Sequence, residues 1–175
     1  MDPLKLLEQS RLIFSASEVD YAIDRVANAI NATAIDKPLV IMCVMTGGLY
    51  FCGKMLSKLT MPIELDYVQV NRYRENLRGG DIRWTKFPTV DLNQKTVILV
   101  DDILDEGITL RAAYDQCLAL GAMQVLTAVL TDKKNHQNKP IKADFFGLEV
   151  PDAYVFGCGM DVHGWWRNLP EIRAL

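Results

Sequence analysis

Hydrophobic residues along the chain follow two patterns, short continuous runs and helical spacing. Residues 39–45 and 96–100 are apolar or β-branched throughout, and residues 124–130 form a third, mostly apolar segment. Strands that are buried on both faces of a parallel sheet have runs of this kind. We therefore predict three central strands. Helices are predicted after the first two, over 49–59 and from about 108 to 120, and Gly121 can end the second of these.

The N-terminal region has the spacing of helices. Residues 3–10 predict a short helix, and hydrophobic residues recur every three or four positions from 19 to 30. Residues 17–20 resemble a capping box, so we expect the second helix to start there and to run to about residue 33. Its apolar face is typical of a core or subunit contact.

Weaker strand signals complete the pattern. Residues 63–70 alternate imperfectly between apolar and polar positions, residues 84–95 suggest a return strand and connector, and 144–148 and 154–157 are short strand-like runs. Strands and helices thus alternate and are followed by small strands. This order predicts an α/β fold with a parallel central sheet, helices on both faces and a small hood.

Length, charge and cysteine content narrow the class of protein. A chain of 175 residues predicts a single domain over 1–175. Within it, the order of elements places a core at about 36–140 and a hood formed mainly by 141–175 with the N-terminal segment. The net charge of −3 and the lack of a basic block argue against a nucleic-acid or membrane surface. The four cysteines have no metal-ligand spacing, and no signal segment or membrane-length apolar run is visible. We expect free buried thiols and a cytoplasmic protein.

Candidate chemistry is concentrated directly after the second apolar run. Asp101 and Asp102 follow it, Asp105 comes three residues later, and Gly107 and Thr109 open a helical pattern. Ligands of open α/β sheets bind at the carboxyl ends of strands, and a turn into a helix can aim N–H groups and a hydroxyl at a phosphate. An acidic pair can also be a strand-end turn whose side chains cap the helix.

The whole stretch from 97 to 110 resembles the signature with which the type I phosphoribosyltransferases bind 5-phosphoribosyl pyrophosphate (PRPP). Within that family it is most similar to the purine-salvage hypoxanthine-guanine enzymes. The resemblance implies that Asp101 and Asp102 hold the ribose hydroxyls, directly or through a metal, and that Asp105 is the general base at the purine N7. The 5′-phosphate would be cradled by Glu106, Gly107, Ile108 and Thr109.

The resemblance extends to residues expected near pyrophosphate. The turn Thr46-Gly47-Gly48 matches the family loop that holds this group, but a lysine usually stands at the position of Thr46. Thr46 and Gly47 would therefore bind mainly through backbone N–H groups, although such a turn is also a common tight link between strand and helix. Arg167 matches the family arginine near pyrophosphate, and Asp161 matches the aspartate that binds Mg²⁺.

A flexible loop closes over the substrates in this family, and here it would span 71–83. Tyr73 matches the tyrosine of that lid, whereas Arg72 replaces its serine. Closure would exclude water from a reactive intermediate. The resemblance therefore implies a lid role for Tyr73.

The C-terminal third supplies matches to the family's base-binding residues. Lys133, expected just past a strand end, matches the lysine that donates to the 6-oxo group of a purine, and Lys134 leaves the register open by one residue. Tyr154 matches the ring that stacks on the base, and Val155 matches the backbone that bonds its edge. Ala153 replaces a lysine common in relatives, so the base preference stays open.

The resemblance implies an enzyme of purine salvage. With Mg²⁺, it would transfer the phosphoribosyl group of PRPP to hypoxanthine or guanine, giving IMP or GMP and pyrophosphate. Two alternatives remain, a nucleotide-sensing regulator of the same fold and an unrelated α/β protein in which the acidic pair binds a metal. The expected partners are PRPP and a purine base, with no nucleic acid or membrane. Apolar helix surface suggests a homodimer or homotetramer.

Overall fold

A six-stranded sheet forms the centre of the protein. The structure is a computed structural model that describes residues 2–33, 38–72, 82–135 and 138–175. In chain order the elements are α1 (Pro3–Gln9), β1 (Arg11–Phe14), α2 (Ala16–Ala32), β2 (Leu39–Met45), α3 (Leu49–Leu56), β3 (Ile63–Arg72), β4 (Ile82–Lys86), β5 (Thr96–Leu104), α4 (Ile108–Ala119), β6 (Gln124–Lys134), β7 (Phe145–Pro151), β8 (Val155–Phe156) and β9 (Ile172–Ala174).

The strand order of the central sheet is β4-β3-β2-β5-β6-β7. All neighbours pair in parallel except β4, which is antiparallel to β3 at one edge. The predicted parallel α/β sheet is thereby confirmed. The strands of the two long apolar runs, β2 and β5, are adjacent at its centre, so their carboxyl ends open at one edge of the sheet.

Helices cover both faces of the sheet, which explains why the central strands are apolar throughout. On one face, Ile41 and Ile98 pack in the same core cluster as α2 and α3. On the other, Met42 and Leu99 pack against α4. Successive side chains of a strand point to opposite faces, so burial on both sides requires a hydrophobic residue at every position.

A second, three-stranded antiparallel sheet forms the predicted hood, with the strand order β1-β9-β8. It joins the two ends of the chain. The indole nitrogen of Trp166 donates to the carbonyl oxygen of Pro3 at 2.8 Å, and the guanidinium of Arg173 donates to the hydroxyl of Ser10 at 2.7 Å. The N-terminal segment is therefore part of the hood.

Three local predictions differ from the structure. The capping box of α2 is formed by Ser15 and Glu18, two residues earlier than expected. Helix α3 ends at Leu56, so residues 57–59 lie outside it. Strands β5 and β6 continue four residues beyond the apolar runs, to Leu104 and Lys134. Backbone ladder hydrogen bonds do not depend on side-chain polarity, which explains why polar residues extend these strands.

No described helix has both the length and the apolar character needed to cross a membrane.

Asp66 of β3 holds the segment after β4 in place. Its buried carboxylate accepts hydrogen bonds from the Lys86 ammonium at 2.7 Å, from the N–H groups of Tyr67, Thr89 and Val90 at 2.7, 2.6 and 3.1 Å, and from the Thr89 hydroxyl at 3.0 Å. Burial alone raises the pKa of Asp66, but these donors outweigh it and hold the pKa well below its usual value.

We expect Asp66→Ala to lower the free energy of unfolding at pH 7 by about 3 kcal/mol, because Lys86 and three N–H groups lose their acceptor. The folded-state pKa lies below the unfolded value of about 4, so the stabilisation is present above that pH and is lost as the pH falls through the folded pKa. Urea denaturation at pH 7 and pH 3 measures both effects. Glu8→Ala, at an exposed residue of α1, is the control and should change stability little. An equal gap between wild type and Asp66→Ala at both pH values would contradict this assignment.

Candidate active site

Two adjoining cavities open at the carboxyl ends of β2, β5 and β6, with volumes of about 320 and 540 Å³. They share the segment that contains Asp102, Ile103, Asp105 and Glu106. The first cavity brings together Thr46, Gly47, Asp101, Asp102, Asp105, Glu106, Gly107, Ile108, Thr109 and Arg167. The second adds Lys133, Tyr154, Val155 and Asp161. Every site residue expected from the sequence lines one of them except Tyr73, which lies outside the described residues.

The turn after β2 packs directly onto β5. A Cβ atom on Gly47 would lie 2.0 Å from Oδ2 of Asp102, and one on Gly48 would lie 2.6 Å from the carbonyl oxygen of Val100. A third glycine, Gly159, has a φ of +105°, and a Cβ there would lie 2.0 Å from the carbonyl oxygen of Gly47. Only glycine fits these positions. Sequence reasoning missed Gly159, although the spacing Gly157-Cys158-Gly159 was a visible signal.

The acidic pair lies inside β5, whereas we expected it to follow the strand. Asp101 and Asp102 are both buried, and the N–H of Asp102 donates to Oδ1 of Asp101 at 2.9 Å. Burial raises the pKa of both carboxyls, and the neighbouring charge of Asp102 raises the pKa of Asp101 further. The guanidinium of Arg167 acts in the opposite direction on Asp102. Strand β5 thus holds two adjacent carboxyl groups whose charged forms are destabilised by burial.

The loop from β5 into α4 has the geometry of an anion site. Gly107 takes a left-handed φ of +79° and is the N-cap of α4, where no side chain accepts from the first N–H groups of the helix. N–H groups without a side-chain cap and the positive end of the helix dipole favour a negative group. Thr109 and Ile108 line the cavity from the first turn. The carboxylate of Glu106 can only accept hydrogen bonds, so its backbone N–H is its possible donor to a phosphate.

Asp105 is held between two side chains of the β6 end. The Lys133 ammonium lies 2.7 Å from Oδ2 of Asp105, and the amide nitrogen of Asn135 lies 3.1 Å from both Oδ1 and the carbonyl oxygen of Asp105. Lys133 is in β6 and not past its end as predicted. Lys134 pairs with Glu149 on the surface and lines neither of the two cavities, so Lys133 is the residue in the site. Asn135 carried no recognisable signal in the sequence.

The hood closes the second cavity from the opposite side. Val155 is buried, and about half of the Tyr154 side chain is exposed. Asp161 pairs through Oδ1 with Arg167 at 2.6 Å and accepts at Oδ2 from the N–H of Gly164 at 2.7 Å. Arg167 also donates to the carbonyl oxygen of Gly159 at 2.7 Å. The hood residues therefore link the two cavities.

The charges of the two cavities are strongly unbalanced. Within the described residues, the lining of the first includes four carboxylates and one cation, Arg167, and that of the second includes five carboxylates and one cation, Lys133. No group of three or more described metal-ligating side chains could hold a metal ion by itself. Apart from these two cations, an anionic ligand in the cavities would therefore depend on backbone N–H groups and on cations that accompany it.

Comparisons with known proteins give the family and the fold. The family model "Phosphoribosyl transferase domain" matches residues 13–163. The hypoxanthine-guanine phosphoribosyltransferase of Aquifex aeolicus is 29% identical over 164 residues, covering 93% of this chain and 92% of the relative. The enzyme of that name from Bacillus subtilis is 26% identical over 166 residues, with 94% and 92% coverage.

Solved structures share the arrangement of elements. A hypoxanthine phosphoribosyltransferase from Staphylococcus aureus has a TM-score of 0.90 at 22% identity, over 100% of this chain and 96% of that one. That of Trypanosoma cruzi, solved as a ternary substrates complex, has a TM-score of 0.84 at 26% identity, with 95% coverage of each chain. The fold and the family match together support one conclusion: the chain belongs to the phosphoribosyl transferase domain family.

Proposed function

We propose that the protein is a hypoxanthine-guanine phosphoribosyltransferase of purine salvage. It would transfer the 5-phosphoribosyl group of PRPP to a 6-oxopurine, giving IMP or GMP and pyrophosphate. One observation carries the proposal: an acidic cavity with an anion-binding helix start adjoins a second cavity that contains Lys133, and Asp105 lies between them. The curated relatives that cover most of the chain have the same named activity.

The first cavity would bind PRPP. Gly107, Ile108 and Thr109 would hold the 5′-phosphate through the helix start, with Glu106 contributing its backbone N–H. Asp101 and Asp102 would bind the ribose hydroxyls. Arg167 and the N–H groups of Thr46 and Gly47 would bind pyrophosphate, and guanidinium geometry suits bidentate phosphate recognition. Tyr73 stays a prediction as the lid residue.

Mg²⁺ fits the chemistry of these donors. It takes hard oxygen ligands and commonly binds to one or two carboxylates together with substrate phosphates. Asp161, Asp101 and Asp102 supply such oxygens at the two cavities, and PRPP would supply the rest. When bound, Mg²⁺ would neutralise charge on the pyrophosphate leaving group. A cavity lined so heavily by carboxylates needs this compensation to admit a polyanion.

The second cavity would bind the base. Tyr154 would stack on the purine ring, and the backbone of Val155 would bond its edge. Lys133 would donate to the 6-oxo group, which adenine lacks. Xanthine loses a proton more readily than guanine, and its anion would lie among five carboxylates, so we place hypoxanthine and guanine above xanthine.

The reaction forms a bond between a purine ring nitrogen and C1 of the ribose and breaks the bond from C1 to pyrophosphate. Positive charge grows on the ribose as the leaving group departs, as in glycoside hydrolysis. Asp101 and Asp102 would favour that charge because they are fixed in the strand before the reaction begins. Asp105 would remove, or stabilise, the proton at the purine N7.

We also propose a location and an assembly state. The four buried cysteines are free thiols, which suits the reducing cytoplasm. Leu65 and Tyr67 project from one face of β3 and are 53% and 44% exposed. A second copy of the chain covering this face would remove both from water, giving a homodimer or, by a further contact, a homotetramer.

Turnover is tested first with PRPP and Mg²⁺, offering hypoxanthine, guanine, xanthine and adenine separately. We expect pyrophosphate release with hypoxanthine and guanine, less with xanthine and none with adenine. Asp105→Asn should lower kcat by roughly 100-fold, because the group at N7 can no longer accept a proton. Asp115→Asn, at an exposed position on α4 outside both cavities, is the charge-matched control. PRPP binding without turnover of any base would reject the proposed enzyme activity and favour the alternative, a nucleotide-sensing regulator of the same fold.

Asp101→Asn should separate stability from activity. The folded-state pKa of Asp101 is raised, so the folded protein binds more protons and its stability falls as the pH rises from the unfolded pKa to the folded one. Asparagine removes this loss. We expect Tm at pH 8 in EDTA buffer to rise by about 3 °C, with a smaller gain at pH 5, while turnover falls at least about 10-fold. Glu8→Gln, exposed on α1, is the control. If the Tm of Asp101→Asn at pH 8 were lower than that of the wild type, the buried charge of Asp101 would not be destabilising the folded protein as inferred.

The assembly is measured by light scattering coupled to size-exclusion chromatography. We expect the wild type to run at two or four times the chain mass of 19.7 kDa. Leu65→Glu should shift the population to monomer, because a carboxylate at that position would be buried without a partner. Leu118→Glu, at a similarly exposed position on α4, should not. A wild type that is monomeric at micromolar concentration would reject the proposal.

A further inference from the structure

Asp105 has two different kinds of partner in the resting protein. Lys133 contacts only its carboxylate, at Oδ2, whereas Asn135 contacts the other oxygen, Oδ1, and the backbone carbonyl of the same residue. The two acceptors around the amide nitrogen identify it as the donor end of the Asn135 side chain, and its two hydrogens suffice for both bonds. The Asn135 amide thus ties the carboxylate of Asp105 to its own main chain.

These two contacts differ in what happens to them during the proposed reaction. Lys133 is the residue that would donate to the 6-oxo group of the base, so its bond to Asp105 competes with base binding. No contact with the base is proposed for Asn135, although it lines the second cavity. Once Lys133 turns to the base, the amide of Asn135 is the side-chain contact that continues to orient the carboxylate, within the part of the chain that the structure describes.

Asn135 has a fixed backbone and, within the described residues, an unpaired side-chain oxygen. Its N–H donates to the carbonyl oxygen of Lys133 at 2.9 Å, which fixes its position directly after β6. Its side-chain oxygen is buried and has no hydrogen-bond donor among the described residues. A buried acceptor without a partner costs about 1–3 kcal/mol. Such a group calls for a reason other than stability.

The main chain around this pair is fixed independently by Lys139. Its ammonium donates to the carbonyl oxygens of Leu104 and Lys133 at 2.8 and 2.6 Å, and it pairs with Asp132 at 2.5 Å. The ends of β5 and β6 are therefore clamped without Asn135. What Asn135 adds is control of the Asp105 side chain.

We infer that Asn135 is a positioning residue, which holds the Asp105 carboxylate in its working orientation when Lys133 is engaged by the base. The inference rests on the proposed function. Catalysis by a positioned proton acceptor is sensitive to displacements of about 1 Å, which can cost about 100-fold in rate. PRPP binding should be insensitive, because Asn135 does not line the first cavity.

The test compares Asn135→Ala and Asn135→Asp with the same changes at Asn138, an exposed residue three positions along. Asn138 lies outside both cavities of the site, whereas Asn135 lines the second. Steady-state kinetics with PRPP and guanine should show kcat lowered about 10- to 100-fold in both Asn135 variants, with KM for PRPP within about twofold of wild type. Both Asn138 variants should match wild type. Tm of Asn135→Ala should stay within about 3 °C of wild type, because the variant also removes the unpaired acceptor.

Two results would overturn the inference. The first is a wild-type kcat in Asn135→Asp, which has the shape of asparagine without its donors. The second is a loss of kcat in Asn135→Ala that accompanies a large fall in Tm and a proportional rise in KM for PRPP, which indicates a structural role. A wild type that turns over no base is a different failure and rejects the proposed function itself.

Discussion

The site depends on the close packing of the turn after β2 against the last residues of β5. That contact exists only because Gly47 has no side chain, so the carboxylate of Asp102 can occupy the space where a Cβ would lie. Gly159 then approaches the same turn from the hood. Three segments that are far apart in the chain thus meet where glycines leave room. The consequence is a site in which the Asp102 carboxylate packs directly against the main chain of the neighbouring turn.

The buried acidic pair of β5 lowers the stability of the fold, but its oxygens remain available to a ligand. Burial raises the pKa of Asp101 and Asp102, which means that the folded protein holds their charge at a cost. Asp66 shows the contrasting solution, a buried carboxylate with enough donors to lower its pKa. A carboxylate with few donors still has lone pairs for a ligand. The number of donors around each carboxylate therefore separates Asp66, which stabilises the fold, from Asp101 and Asp102, which are available to a substrate.

Sequence patterns predicted the fold and most of the residues that line the two cavities. Continuous apolar runs predicted the central strands, and the acids, glycine and threonine after residue 100 marked the segment between β5 and α4. Prediction from the sequence failed for two physical reasons. Polar residues continued β5 and β6 because the ladder is made by the backbone, so Asp101 and Lys133 lie in strands. Asn135 and Gly159 could not be found from local pattern, since what matters about them is which distant atom each one touches.

The hood has a consequence for how the protein is made. Strand β1 pairs with β9, and Trp166 closes onto Pro3, so residues near the start of the chain must find partners that are synthesised some 160 positions later. The central sheet is complete once β7 has been made and can form before those partners exist. The second cavity takes one wall from each part. During synthesis, a nascent chain would therefore have its central sheet before its hood, and only the emergence of β9 would join the two.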